Sequence, residues 1–266
     1  MAQLQGEAVM RVQPQAWIAV AVVVGYAAIM GATWFFTGTD YETVGSTAAS
    51  AMQGIVLPVA LASLFTAAVT YWLGWWGPAL RDTPTGPRWL LVLPVLIVLT
   101  ALGNLLSHGF EGVEARLVLT LALGTLLVGF GEELTLRGVA VVGLRGSFGE
   151  VGVWFFSSLL FALLHAINLF FGQSAAATLQ QMVFAFAIGT ALYVVRRVTG
   201  TLVICILIHA FWDFGTFVAG ASTGAATPFA VLALFQYAVI VVAIIGLVLV
   251  LRQGRASTQR AHVKAA

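Results

Sequence analysis

Charged residues are scarce in this 266-residue chain, in which Asp, Glu, Lys and Arg together make up 8% of the positions. Hydrophobic residues make up 61%, and the mean hydropathy of +1.01 lies far above the values usual for a soluble domain. The sequence shows no stretch long enough for a separate soluble domain and no internal repeat. The scarcity of charge therefore predicts an all-α, polytopic membrane protein with a single domain.

Cysteine is nearly absent as well. Cys205 is the only one, so an intrachain disulfide is excluded and the redox compartment cannot be inferred. The twelve Lys and Arg residues are scattered along the chain and form no basic stripe. The net charge of +2 therefore does not indicate nucleic-acid binding.

Long apolar runs are what the chain has in abundance. A bilayer core of roughly 30 Å needs about 20 apolar residues in a helix that rises about 1.5 Å per residue. Eight runs qualify, and they predict an eight-helix membrane domain over residues 16–251. Their approximate cores are 16–36, 52–76, 89–107, 115–143, 150–171, 179–198, 201–220 and 228–251.

The two ends of the chain are more polar than the runs between them. Residues 1–15 are expected to be an N-terminal segment before a retained first helix, and residues 252–266 a basic, disordered tail. Basic residues also occupy alternate loops, on the side where Arg11, Arg81, Arg88, Arg145, Arg196, Arg197, Arg252, Arg255, Arg260 and Lys264 fall. The other loops carry Asp40, Glu42, Glu111 and Glu114, with Arg116 as their only basic residue. By the positive-inside rule, both termini are predicted to be cytoplasmic.

Six ionisable residues lie inside the apolar runs: Glu132, Glu133, Arg137, His165, His209 and Asp213. One such side chain in mid-membrane costs a few kcal/mol, so together they indicate a functional site. Measured from the Arg-bearing end of each helix, Glu132, His165, His209 and Asp213 lie roughly 14 to 22 Å deep. We therefore expect the three helices to bring these four side chains to one polar cavity within the membrane.

Spacing within each helix separates the two glutamates. Glu133 and Arg137 are four residues apart and share a face, whereas Glu132 points about 100° away from Glu133. Glu133 is therefore expected to pair with Arg137, and Glu132 is left free for water. On the next polar helix Phe161 and His165 share a face, which predicts aromatic packing against the imidazole.

A carboxylate and two imidazoles in a wet cavity suit peptide-bond hydrolysis. The carboxylate can take a proton from water, and the imidazoles can donate hydrogen bonds to the oxyanion. The set Glu132, His165, His209 and Asp213 would also suit zinc, although the HExxH spacing of many zinc proteases is absent. No cofactor is the favoured expectation, and a structural hydrogen-bond network is the non-functional alternative.

Three motifs resemble those of a known family. Residues 132–137 match its EExxxR motif, residues 161–165 match FxxxH, and residues 209–213 match a third motif of His followed four residues later by Asn or Asp. The chain thus resembles the CPBP family, which groups CAAX prenyl endoproteases of the Ras-converting type with bacteriocin-processing and immunity proteins. The resemblance covers about residues 115–215.

The resemblance implies an intramembrane endopeptidase in which Glu132 activates water. It further implies that His165 and His209, with Asp213, bind the oxyanion or orient the water. Glu133, Arg137, Phe161 and Asn168 are then supporting residues; Asn168 lies one turn beyond His165, where it could hydrogen-bond within the site.

Asp213 departs from the Asn that is usual in the eukaryotic enzymes. An ionised Asp would repel an oxyanion, so Asp213 must be protonated, face His209 as an orienting partner, or bind a metal.

The substrate implied is a membrane-associated or lipidated peptide or protein tail. Because the loops are short, recognition falls to the membrane cavity, which the substrate is expected to reach laterally or from the cytoplasmic face. The Ala-, Val- and Gly-rich composition suggests a bacterial plasma-membrane protein, with membrane lipid as a further partner. The alternatives are a noncatalytic scaffold or immunity protein that uses the same pocket for binding, and a proton-coupled transporter. The sequence says nothing about an oligomeric state.

Overall fold

The structure is a computed structural model that describes the backbone of residues 10–265 and the side chains of residues 10–253. Within this part of the chain there is no β-strand, and eight helices are long and apolar enough to cross a membrane. In chain order they are α1 (Ala16–Thr37), α2 (Ala48–Leu73), α3 (Arg88–Ser107), α4 (Ala115–Arg145), α5 (Glu150–Phe171), α6 (Ala175–Thr199), α7 (Leu202–Ala221) and α8 (Pro228–Gln253).

The eight-helix prediction is therefore confirmed. Apart from the end of α8, whose helix continues past Gln253 to Ala265, the largest differences at the helix ends are four residues, at the start of α2 (48 against 52) and the start of α6 (175 against 179). Four helices end on glycines in the left-handed region, which Gly adopts without steric cost: Gly38 after α1, Gly74 after α2, Gly172 after α5 and Gly200 after α6. These sharp ends allow short loops, so consecutive helices run antiparallel.

Helix geometry changes beside the polar residues. In α4 the winding becomes that of a π-helix over Leu134–Ala140, directly after Glu133. In α5 it becomes that of a 3₁₀-helix over His165–Phe171, beginning at the histidine itself. The start of α2 also has a π segment, Met52–Val56. Such changes of winding are frequent at functional sites, because they redirect side chains relative to a regular α-helix.

The basic loops meet at one end of the bundle, which we call the Arg-rich end (loops 74–87, 146–149 and 200–201). Asp82 of loop 74–87 accepts from Arg145 at 2.8 Å and lies 2.8 Å from the guanidinium of Arg197, so it joins this loop to the ends of α4 and α6. Burial raises the pKa of the Asp82 carboxyl, but Arg145 and Arg197 lower it by more, and the net pKa lies below its usual range. The loops that the charge pattern places on one side thus lie together.

The opposite end of the bundle (loops 38–47, 108–114, 172–174 and 222–227) carries Asp40, Glu42, Glu111 and Glu114. Which end faces the cytoplasm stays a prediction from the positive-inside rule.

The last helical segment runs Phe235–Ala265, through most of the stretch 252–266 for which the sequence predicts a disordered tail. The difference has a physical reason, since Arg, Gln, Ala and Lys all have high helix propensity. The side chains after residue 253 lie outside the described residues, as do residues 1–9 of the predicted N-terminal segment 1–15.

Candidate active site

A cavity of about 280 Å³ lies in the middle of the bundle, and Glu132, His165, His209 and Asp213 all line it. Glu132 comes from α4, His165 from α5, and His209 and Asp213 from α7. The remaining lining is mostly apolar and comes from α1, α2, loop 38–47 and the helices α4 to α7. The structure therefore brings together the four residues that the sequence predicts to converge.

His209 is the side chain that contacts most of the others. Its Nδ1 lies 2.8 Å from Glu133 Oε1, and because a carboxylate oxygen accepts, the ring N–H donates. Its Nε2 then points to the cavity, 3.5 Å from Asp213 Oδ2 and 4.0 Å from Glu132 Oε2. Asp213 thus faces His209, as expected if it orients the imidazole.

Glu133 and Arg137 form the ion pair that their spacing predicts. Arg137 Nη1 donates to Glu133 Oε1 at 3.0 Å, and the two side chains are 0% and 1% exposed. The same Oε1 also accepts from His209, a contact between α4 and α7 that nothing in the local sequence signals. Glu133 therefore both neutralises Arg137 and orients the imidazole of His209.

The ring of Phe161 holds the cationic and imidazole groups in place. The Arg137 guanidinium stacks over its face at 4.0 Å, and His165 and His209 contact it edge-on, with ring centroids 5.2 and 5.7 Å away. His165 Nδ1 also donates to the backbone oxygen of Phe161 at 2.9 Å. In the neutral ring of His165 this leaves Nε2 as the acceptor.

Asn168 makes its hydrogen bond at the edge of the site and not with the imidazoles. Its Nδ2 donates to Gln181 Oε1 at 2.9 Å, and Gln181 Nε2 donates to the hydroxyl of Tyr41 at 2.9 Å. All three residues line the cavity. They form a polar chain that links α5, α6 and the loop after α1.

Two tyrosines in the cavity wall, Tyr26 and Tyr41, are absent from the sequence-based site. Tyr26 is 0% exposed, and its hydroxyl has no hydrogen-bond partner among the described residues. That hydroxyl lies against Gly131, one residue before Glu132, where a Cβ would be only 3.0 Å from it. A tyrosine within an apolar helix is a sequence signal for a polar site. The sequence of α1 does not show, however, that this tyrosine lies beside α4.

A second cavity of about 230 Å³ adjoins the first on the side of α3 and α6. The two share the polar residues His165, Gln181, His209, Asp213 and Thr216. The second is otherwise lined by apolar and aromatic side chains, among them Phe184 and Trp212. The polar centre thus lies between two apolar chambers.

The same four polar side chains are the candidate ligands for zinc. His209 donates Nδ1–H to Glu133 and keeps Nε2 free, which is the arrangement of a metal-binding histidine. Among the residues whose side chains the structure describes, however, no group of three or more His, Cys, Asp or Glu is arranged to hold a metal ion. The absence of a cofactor stays a prediction.

Part of the chain is similar to a described protein family. Residues 114–215 match the family model described as Rce1-like, type II CAAX prenyl endopeptidase. No curated protein and no solved structure matches the chain. The matched residues contain α4 to α7 up to Gly215, and so all three motifs and the four residues expected to converge.

Proposed function

We propose that this multi-pass membrane protein, whose residues 114–215 match the Rce1-like CAAX endopeptidase family model, cleaves a peptide bond with water activated by Glu132. One observation carries the proposal. The Glu132 carboxylate and the free Nε2 of His209 face each other across 4.0 Å in a single cavity. At that spacing a single water in the cavity can hydrogen-bond to both atoms at once, so an acceptor and a donor can act on the same reacting group.

The first step is attack by water. Glu132 takes one proton as the water oxygen bonds to the carbonyl carbon of the scissile bond. His165 is held by Phe161 with Nε2 unprotonated, so it accepts the other hydrogen of that water and orients it. We assign His165 as the water-positioning residue on this ground.

The second step is the breaking of the C–N bond. His209 donates Nδ1–H to Glu133, so when the ring carries a second proton its Nε2–H donates to the oxyanion. Asp213, 3.5 Å away, and Glu133 stabilise that imidazolium. Glu132 then passes its proton to the departing amide nitrogen, which yields a carboxylic acid and an amine and leaves Glu132 ionised.

The substrate class follows from the lining. The walls are mostly apolar and aromatic, so the scissile bond belongs to a peptide with an apolar or lipidated flank. We further propose that the protein resides in a plasma membrane with both termini cytoplasmic, on the strength of the basic loops at the Arg-rich end.

The test uses purified protein in liposomes with three probes of one sequence: a farnesylated C-a-a-X peptide, a palmitoylated peptide and the unmodified peptide. The test is extended to natural proteins by mapping the new N-termini that appear in membranes from cells with the wild-type chain. Glu132→Gln is expected to lower cleavage by about 10²–10⁴-fold and to keep the thermal stability. Glu42→Gln, an equally isosteric change on an exposed loop, is the matched control and leaves cleavage unchanged.

Cleavage by Glu132→Gln at the wild-type rate would contradict the assignment of the base. The scaffold alternative would be favoured if the wild-type chain binds the probes and cuts none of them, and if membranes from cells with the wild-type chain and with Glu132→Gln contain the same N-termini. Flux of protons or peptide into liposomes that depends on Glu132 would favour a transporter.

A further inference from the structure

The 280 Å³ cavity reaches from the middle of the bundle towards one end. Its walls run from the middle of the helices towards the loops at the end opposite the Arg-rich end. Tyr26 lies at the middle of α1 and Met30 and Trp34 in its second half, and Gly54, Ile55 and Val59 lie in the first half of α2. The lining residues of α5 run from His165 to Asn168, and those of α7 from His209, near the middle of the helix, to Phe217. Tyr41 and Val44 extend the wall into loop 38–47 itself.

The other half of the bundle is closed by packing. Every residue of α4 from Leu134 to Leu144 is buried, with Leu134, Leu136 and Val141 at 0% exposure. Arg196, also 0% exposed, donates to the backbone oxygens of Pro78 and Ala79 in the loop that covers this end. A substrate that approached from the Arg-rich end would meet the buried Glu133–Arg137 pair before it reached Glu132.

The site is open on one side, between α6 and α7. Thr216 lines both cavities and is nevertheless exposed on the surface of the bundle. One turn away, Trp212 of α7 lies beside Phe184 of α6 with ring centroids 6.1 Å apart, and both rings border the second cavity. This aromatic pair spans the gap, and it can part without breaking a hydrogen bond.

We infer that the substrate enters between α6 and α7 from the half of the membrane opposite the Arg-rich end. By the positive-inside rule that half is the extracytoplasmic one. The substrate is then a peptide segment held in the outer leaflet with an apolar flank, rather than the tail of a cytoplasmic protein. This inference rests on the proposed function and replaces the expectation of entry from the cytoplasmic face.

Thiol labelling in vesicles tests the inference without the need for catalysis. The wild-type chain is the blank, because its only cysteine, Cys205, is 0% exposed. Thr216→Cys and Phe184→Cys report on the cavities, Glu42→Cys on loop 38–47, and Thr83→Cys on the Arg-rich end. Each is treated with a membrane-impermeant maleimide in right-side-out and in inverted vesicles, and the labelled fraction is read as a mass shift.

We expect Glu42→Cys and at least one cavity cysteine to react at least tenfold faster in right-side-out vesicles, and Thr83→Cys in inverted ones. A cavity cysteine that reacts from the Thr83 side overturns the inference, and so does a reversal of the two reference positions or a failure of both cavity cysteines to react. The Glu132→Gln variants are expected to label identically, so a failure of the proposed catalysis leaves this result readable.

A second measurement tests whether the labelled route is the substrate's route. Maleimide bound to Thr216→Cys is expected to reduce cleavage of the peptide probe at least tenfold, whereas maleimide bound to Glu42→Cys leaves cleavage unchanged. Unimpaired cleavage after complete labelling of Thr216→Cys would overturn entry between α6 and α7 and leave the role of Glu132 untouched.

Discussion

At the scale of single residues, one carboxylate organises the site without lining the cavity. Glu133 Oε1 accepts from both Arg137 and His209, and all three side chains are buried. A buried charge is tolerated only when it is paired and hydrogen-bonded, and this pairing satisfies that requirement for Arg137 within one helix turn. The Glu133 pair thus leaves Glu132 as the carboxylate available to water.

The effect of Tyr26→Phe on kcat and on stability distinguishes a catalytic role of the hydroxyl from a merely buried one. If its hydroxyl donates to Glu132 or to the attacking water, Tyr26→Phe lowers kcat about tenfold, the effect of losing a hydrogen bond to a charged group. If the hydroxyl is merely buried and unpaired, the same change removes an unsatisfied polar group and raises the free energy of unfolding with no loss of kcat. We expect the first result, measured as kcat and KM on the peptide probe together with the melting temperature.

The control for Tyr26→Phe is Tyr193→Phe. Tyr193 is also fully buried, but its hydroxyl donates to Glu150 near the Arg-rich end. Tyr193→Phe should therefore lower stability and leave kcat unchanged. An unchanged kcat in Tyr26→Phe would remove Tyr26 from the site.

Metal removal is a second prediction at this scale. Glu132 can activate water by itself, so protein stripped by a chelator and shown by elemental analysis to hold no zinc is expected to keep full activity. The measurement is the cleavage rate before stripping, after stripping and after addition of zinc. A loss of activity that zinc restores would contradict the metal-free mechanism and would favour a ligand role for Asp213.

At the scale of helices, the packing of α4 on α7 sets the distances in the site. Gly129 of α4 lies against the backbone of α7, where a Cβ would come within 2.5 Å of the Ile206 oxygen and 3.0 Å of the Ala210 side chain. Small residues at such contacts let two membrane helices approach closely. One turn further along α4 are Glu132 and Glu133, and the Glu133–His209 bond spans this same interface.

Gly129→Ala is therefore expected to push α4 and α7 apart. The overpacked interface should lose roughly 1–3 kcal/mol of stability. The cleavage rate should fall about tenfold or more, because a misplaced catalytic group is costly even for small shifts. Gly220→Ala on α7 is the matched control, since its Cβ meets no atom within 4 Å. Equal cleavage rates for the two variants would show that this contact does not set the site.

At the scale of the whole molecule, Asp82 joins loop 74–87 to the ends of α4 and α6 at the Arg-rich end. The ionised carboxylate pairs with Arg145 and Arg197, and its pKa is lowered in the folded protein. A group with a lowered folded pKa contributes stability above its unfolded pKa, about 3.9 for Asp, and this contribution is lost as the pH falls through the folded pKa.

Asp82→Asn is accordingly expected to cost about 2 kcal/mol of stability at pH 7, because it removes the charged partner that Arg145 and Arg197 share and leaves them only Glu150. The difference from the wild-type chain should begin to shrink below about pH 4, where the carboxyl of the unfolded chain becomes protonated, and should be lost as the pH falls through the lower pKa of the folded protein. Thermal unfolding of both chains at a series of pH values measures this difference in stability. A difference that stays constant down to acid pH would mean that the contribution of Asp82 is not ionic.

Much of this protein was predictable because the bilayer restricts what a chain can do. An apolar run of about 20 residues has few alternatives to a membrane helix, so the eight spans and, apart from the end of α8, their ends within four residues follow from composition. The Glu133–Arg137 pair follows from a four-residue spacing within one helix. In contrast, the contact of His209 with Glu133 joins residues 76 positions apart, and Tyr26 reaches Gly131 from another helix. No local pattern contains such contacts.

The sequence by itself determined which residues are charged within the membrane, how deep they lie, and on which loops the basic residues cluster. Depth follows from a constant rise per residue, so it needs no knowledge of neighbouring helices. Only the tertiary structure decided which helices are neighbours, and with them the double role of Glu133, the tyrosines of the cavity wall, and the closure of the Arg-rich half. Those features depend on how helices rotate and pack against each other, which the side chains of the whole bundle settle together.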